Sequence, residues 1–220
     1  MVMKGRGIQV NFDLLENGID SLRQAKMNID ENYLDHEFES FQLKDGLFNF
    51  IHGFEILAKY IIGSENEEKL ITSKTLNIYR EAKTSLNKSL KTVFEVDSNI
   101  RTISIWEVIK LLKSDFSLID SELIKGLDYL IKKRNGLMHY TVDINEMEKE
   151  EFVEKLRNSI DSSIEYFQSN IPDFDQVYNK QERNYQYTEY DKYVDRAIDA
   201  AESSYEDGRM EHSIERHKED

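Results

Sequence analysis

Apolar residues recur along most of this chain at intervals of three and four, the period of a helix that packs by one face. Leu14, Leu15, Ile19, Leu22, Ala25 and Met27 follow that period within residues 12–29 and predict a first amphipathic helix, slightly weakened by Gly18. The longest stripe runs from Asp35 to Ile62 through Phe38, Phe41, Leu47, Phe48, Ile51, Phe54, Leu57, Ala58 and Ile61. Asp45-Gly46 is a candidate break in it and Gly63 a candidate end. The part from Leu47 to Ile62 reads as a core helix whose polar exceptions are His52, Glu55 and Lys59. Glu55 and Lys59 stand in the i,i+4 order that favours an exposed ion pair.

Past the polar turn Ser64 to Glu68, a candidate cap for the next helix, the pattern thins. Residues 67–95 predict one or two less apolar helices or a partly mobile insertion. Ser104 with Glu107 three residues on is a capping box, opening a short helix through Lys113 with Trp106, Ile109 and Leu112 facing inward. Asp120 is a suitable N-cap for the run Leu123, Leu127, Leu130 and Ile131. A short extended link, 141–144, leads to Asn145 and Glu148, which predict the start of a helix reaching about Ser169. Phe152, Leu156, Ile160, Ile164 and Phe167 form its buried side, and Pro172 closes it. Residues 1–172 therefore read as an all-α domain. Residues 173–220 change to Tyr, Asp, Glu, Gln and Asn and read as an acidic, tyrosine-rich tail. Tyr190, Val194, Ala197, Ile198, Ala201 and Tyr205 keep some helical period there, so the tail is expected to be partly disordered or to hold a docking helix.

Composition sharpens this picture in a few places. A single Pro and only nine Gly suit long helices joined by short turns. The absence of Cys removes disulfides, thiolate metal sites and a cysteine nucleophile. His212 and His217 lie among charges without a ligand cluster, and no phosphate-cradling glycine loop, HExxH motif or GxSxG elbow occurs, so neither metal nor cofactor is expected. No leader-like apolar run follows Lys4 and Arg6, and no stretch of about 18 apolar residues could span a bilayer. A cytoplasmic protein without a membrane partner is the expectation. The net charge of −14 opposes broad nucleic-acid binding, but half of it lies after Pro172, where 14 acidic residues stand against 7 basic ones.

The chemistry concentrates in Lys132-Lys133-Arg134-Asn135-Gly136-Leu137-Met138-His139-Tyr140. If this were one unbroken helix, Asn135 and His139 would share a face at i,i+4, with Arg134 beside it and long enough to reach round. Such a set suits an anionic phosphate. Arg supplies a fixed fork of donors, His exchanges a proton near neutral pH, and Asn orients or donates. Arg-Asn-Gly is equally the way an ordinary helix ends, with Gly136 as a left-handed cap and the basic residues complementing the helix C-terminus.

With these segments placed, the chain resembles the HEPN superfamily, α-helical bundles that dimerise and commonly carry an Arg and a His four to six residues apart. Arg134 to His139 fits the four-residue spacing, including the Asn that often follows the Arg. Ile51 to Tyr60 resembles the family's early core helix, where an acidic residue and a Lys recur, and Thr102 to Trp106 is similar to the start of another family helix. The resemblance implies an antiparallel helical bundle over residues 1–172, and a metal-independent endoribonuclease whose site forms where two protomers bring their Arg and His together. Arg134 is then implied to stabilise the phosphorane, His139 to act as general acid or base, and Asn135 to position the phosphate or the His. Glu55, Lys59 and Tyr140 are implied to support the site, Glu55 by orienting a basic group, and Lys132 and Lys133 to offer positive charge to RNA. The implied partners are RNA, a second copy of the chain, and an antitoxin or regulatory protein, as befits a toxin or phage-defence effector. Family toxins neutralised by nucleotidyltransferases carry a modifiable Tyr two residues after the His. Here Tyr140 comes one residue after and Thr141 takes the second place, so that mode of control is not carried over. The alternative is a non-catalytic interaction module in which the motif only stabilises the dimer, which the acidic charge favours.

Overall fold

Asp13 starts the first helix by accepting a hydrogen bond from the Leu15 amide at 2.7 Å, so one of the amides that a helix start leaves unpaired is satisfied. The computed structural model describes residues 13–30, 39–86, 92–117, 120–139 and 146–180. Helix α1, Leu14–Asn28, buries Leu15, Ile19, Leu22 and Ala25, whereas Leu14 and Met27, also on the apolar pattern, lie off that face and are exposed. Helix α2, Glu39–Asn66, is continuous. Neither Asp45-Gly46 nor Gly63 interrupts it, because both glycines serve close packing: a Cβ on Gly46 would touch Ile29 at 3.2 Å, and one on Gly63 would meet Leu70 at 2.9 Å. Asn66 ends it by capping the 3₁₀ turn Glu67–Leu70.

Contacts run in opposite directions along α1 and α2. Gly46 lies against Asn28 and Ile29, Gly53 against Leu22, and Leu57 against Gly18, so the two helices are antiparallel. Gly18 and Gly53 let them approach closely: a Cβ on Gly53 would stand 2.9 Å from both the Gly18 carbonyl oxygen and the Leu22 amide nitrogen. Backbone cannot rotate away as a side chain does. Gly53→Ala should therefore destabilise the protein by about 1–3 kcal/mol despite alanine's better helix propensity. Gly46→Ala, whose new methyl would meet Ile29 Cγ2 at 3.2 Å and Asn28 Cβ at 3.3 Å and no backbone atom closer than 3.6 Å, should cost clearly less. Urea melts of the two variants check this; equal midpoints would contradict the close approach.

The segment after α2 compensates for its thin apolar pattern with polar ties. Helices α3, Leu76–Thr84, and α4, Val93–Val96, share a small cluster of Ile71, Tyr79, Ala82 and Ile100. The Tyr79 hydroxyl donates to Glu67 at 2.7 Å, and Arg80 and Lys83 pair with Glu68 and Glu67 at 2.6 Å each. An isolated antiparallel bridge joins Ile71 to Thr102 and delivers the chain to α5, Ile105–Asp115. Its capping box is present: Ser104 accepts from the Glu107 amide, and Glu107 accepts from the Ser104 amide at 2.8 Å. The Ser104 backbone and hydroxyl hold the Glu107 carboxyl below its usual range. The inward face of α5 is Ile105, Val108, Ile109 and Leu112, and Trp106 is instead 42% exposed. The expected inward set is one residue out of phase at its N-terminal end.

Asp120 caps α6, Ser121–His139, accepting from the Glu122 and Leu123 amides at 2.9 and 3.1 Å. Helix α7, Glu146–Asn170, buries Phe152, Leu156, Ile160, Ile164 and Phe167, all on the predicted face. Gly126 of α6 faces Ser159, and Lys155 lies over the Tyr129 ring, which makes this pair antiparallel as well. The link 141–144, Asn145 and Tyr140 lie outside the described residues.

Pro172 is a turn and not the exit from the bundle. Helix α8, Phe174–Lys180, follows it at once, and Phe174 is fully buried. Ring centroids run Phe54 to Phe167 at 5.5 Å, Phe167 to Phe174 at 6.5 Å and Phe174 to Tyr178 at 5.5 Å, an aromatic column through α2, α7 and α8. Arg23 of α1 lies over the Tyr178 ring and donates to the Tyr178 carbonyl at 2.7 Å. The compact unit thus continues to Gln181, nine residues beyond the boundary that composition suggests. The expected tail helix around 189–207 lies outside the described residues. Among the described residues the protein is all-α, with no strand, and no helix is long and apolar enough to cross a membrane.

On α7, burial pushes the Tyr166 phenol up to about 12, and its hydroxyl donates to the Phe116 carbonyl at 3.1 Å. The unfolded chain gives up that proton near pH 10 and the folded chain only near the raised value. Below about pH 10 the group leaves stability unchanged; between about 10 and 12 stability falls as the unfolded state ionises first. Tyr166→Phe should flatten this alkaline limb relative to wild type in denaturant melts. Identical limbs would assign the loss to other groups.

Candidate functional site

Helix α6 runs through Gly136 without a left-handed residue, and among the described residues no glycine has positive φ. Gly136 is therefore a helical residue and not a terminating cap, so Asn135 and His139 stand one turn apart on a common face. His139 is the last residue of the helix. Asn135 and His139 are exposed and Arg134 is half-buried. Arg134 Nη1 donates to Asn135 Oδ1 at 3.0 Å. That bond occupies one lone pair of Asn135 and turns its amide nitrogen, with two donors, away from the guanidinium.

The neighbouring cations are partly engaged. Lys132 pairs with Asp128 at 2.6 Å, and Lys133 lies over the Tyr129 ring at 5.5 Å, with Lys155 of α7 over the same ring at 5.3 Å. All three basic residues from Lys132 to Arg134 sit in the last two turns of α6, where the carbonyl end of the helix favours positive charge. The same carbonyl end offers nothing to an anion, so any phosphate here depends on side chains alone. Around the helix Arg134 and His139 are about 140° apart.

Glu55 and Lys59 make the expected pair at 2.6 Å on α2, and both are mostly shielded from solvent. Lys59 also donates to the Thr102 hydroxyl at 3.3 Å. Their contacts tie α2 to the segment that opens α5, a role in holding the bundle. Among the described residues the hydrogen bonds of this pair go to each other and to Thr102, and not to Arg134 or His139. Tyr140 lies outside the described residues. Among the described residues no three His, Asp or Glu side chains are grouped to hold a metal ion.

The sequence pattern misplaces one residue that stands out in the fold: Trp106, assigned to the core. It lines an open groove of about 700 Å³ between α5 and α6 together with Ile109, Lys110, Lys113, Ile124 and Lys125. The signal was present in the lysines, because Lys110 and Lys113 follow Trp106 at i+4 and i+7 and lie on its face of the helix. Compared with models of protein families, with characterised proteins and with solved structures, the chain matches none.

Proposed function

We propose that this chain is a metal-independent RNA endonuclease of the HEPN type that acts as a homodimer, in the manner of a toxin or defence effector. The observation that carries the proposal is the unbroken course of α6 through Gly136. It puts Asn135 and His139 on one exposed face, with Arg134 hydrogen-bonded to Asn135. His139 takes the proton from the RNA 2′-OH or delivers one to the departing 5′-oxygen, and Arg134 stabilises the charge that builds on the phosphorane oxygens. The O2′–P bond forms as the P–O5′ bond breaks, leaving a 2′,3′-cyclic phosphate and a 5′-hydroxyl. The wide angle between Arg134 and His139 around the helix favours a site assembled from two copies, Arg from one and His from the other.

The test is incubation of purified protein with total cellular RNA in EDTA, beside His139→Ala. Cleavage by wild type alone, with cyclic-phosphate ends, is the expected result. RNA left intact by both proteins removes the nuclease function and leaves the non-catalytic interaction module, which the net charge of −14 favours. Equal degradation by both assigns the activity to a contaminant.

A further inference from the structure

The groove between α5 and α6 is unusual in its chemistry. Trp106 is the chain's one tryptophan, and it stands 42% exposed at the groove with Ile109 and Ile124 supplying the apolar floor. Lys110, Lys113 and Lys125 supply cations from both helices. Lys110 and Lys113 are in no ion pair among the described residues; Lys125 pairs with Glu122 at 2.8 Å in an exposed contact. The acidic groups near these lysines include Glu122, paired with Lys125, Asp128, paired with Lys132, and Glu107, fixed in its capping box near Lys110. An exposed indole flanked by lysines suits a ligand with both a flat π-face and negative charge.

The groove's lining on α6 ends at Asp128, on the same face of the helix as the candidate site. Ile124, Lys125, Asp128, Lys132, Asn135 and His139 fall within about 100° of arc on α6. From Ile124 to His139 this strip extends about 22 Å along the helix. A ligand lying in the groove and following α6 therefore arrives at Asn135 and His139.

We infer that this groove binds a single-stranded RNA segment, one base stacked on Trp106 and the backbone phosphates on Lys110, Lys113 and Lys125, and so feeds the strand toward His139. Stacking on an aromatic side chain tolerates any base, and lysines contact phosphates without reading sequence, so binding is largely independent of sequence and falls with salt. Unpaired strand is required, because a base within a duplex has no free face for the indole. The ligand's identity rests on the RNA-cleavage proposal above; binding itself does not require catalysis.

The experiment titrates full-length protein with a fluorescein-labelled 2′-O-methyl oligonucleotide, which lacks the attacking hydroxyl and cannot be cleaved. Saturable quenching of the Trp106 fluorescence and a rise in anisotropy are expected. Trp106→Ala should weaken binding roughly fivefold to 150-fold, and Trp106→Phe, which keeps a ring, should retain most of it. Lys110→Gln with Lys113→Gln should reduce the slope of log K against log salt by about 1.4. These positions are exposed, and unchanged thermal melts show that the variants fold. Affinity unaltered by Trp106→Ala overturns the groove assignment, as does quenching by an acidic peptide but not by RNA, which makes the groove a protein site. The two proposals fail separately. If His139→Ala abolishes cleavage while Trp106→Ala changes neither binding nor cleavage, the groove falls and the nuclease stands. If RNA binds at Trp106 but wild type cleaves nothing, the groove stands and the nuclease falls.

Discussion

His139→Ala should leave total cellular RNA intact under conditions in which wild type is expected to cleave it in EDTA. The loss expected is roughly 10²–10⁴-fold in rate, the usual contribution of one general acid or base. Arg134→Ala should lose about 10²–10³-fold, the scale for removing one donor to a developing oxyanion. Arg134→Lys should recover little, because an ammonium keeps the charge without the planar fork that matches two phosphate oxygens. Neither variant touches the core: His139 is exposed, Arg134 is half-buried, and the face of α6 that packs inward is Leu123, Leu127, Leu130 and Ile131. Far-ultraviolet circular dichroism and melting temperature should match wild type. Light scattering should give about 52 kDa, twice the 26.0 kDa of one chain. Substrates with a deoxyribose 5′ of the scissile phosphate should resist cleavage, since they lack the nucleophile. Cleavage of such a DNA linkage at an equal rate would refute attack by a 2′-hydroxyl, whatever the variants do.

The helices were legible where a clear apolar period coincided with a cap. Ser104 with Glu107 and Asp120 before Leu123 both act as caps, and the buried side of α7 is the one its pattern predicts. Glycine was read less well, because one residue serves opposite purposes. At positions 46 and 63 it looks like a breaker or a C-cap, yet in the fold it makes room for Ile29 and Leu70. Only the neighbouring helix distinguishes a glycine needed for its conformation from one needed for its missing side chain. The same ambiguity hung over Gly136, and the helical course of the chain there decides in favour of Asn135 and His139 sharing a face. Trp106 shows a different limit. Hydropathy ranks an indole as core, but the four-residue rhythm Ile105, Val108, Ile109, Leu112 already fills the inward face of α5. A large apolar residue beside a complete stripe is left for the surface, where two lysines on its own face give it a use.

Ending the chain at Pro172 should unfold or severely weaken the bundle, whereas ending it at Gln181 should preserve cooperative unfolding. Composition places the boundary at Pro172, since Asp, Gln, Asn and Lys dominate residues 173–181 and only Phe174, Val177 and Tyr178 interrupt them there. Three apolar residues in so polar a segment do not register as a stripe, and α8 is only seven residues long, too short for periodicity to declare itself. Its stability comes from docking. Phe174 completes the aromatic column begun by Phe54 and Phe167, Tyr178 stacks on it, and Arg23 closes the arrangement through the Tyr178 ring and carbonyl. Loss of a buried Phe alone costs about 3–5 kcal/mol, and removal of α8 also exposes the faces of Phe167 and of α1 that it covers. Against the about 5–15 kcal/mol by which a domain is stable, this is a large fraction. Urea melts of the 1–172 and 1–181 chains followed by circular dichroism decide it, with Phe174→Ala in the full chain as a third measurement that leaves the backbone intact. A 1–172 chain as stable as the 1–181 chain would mean that the aromatic column contributes nothing beyond Phe167.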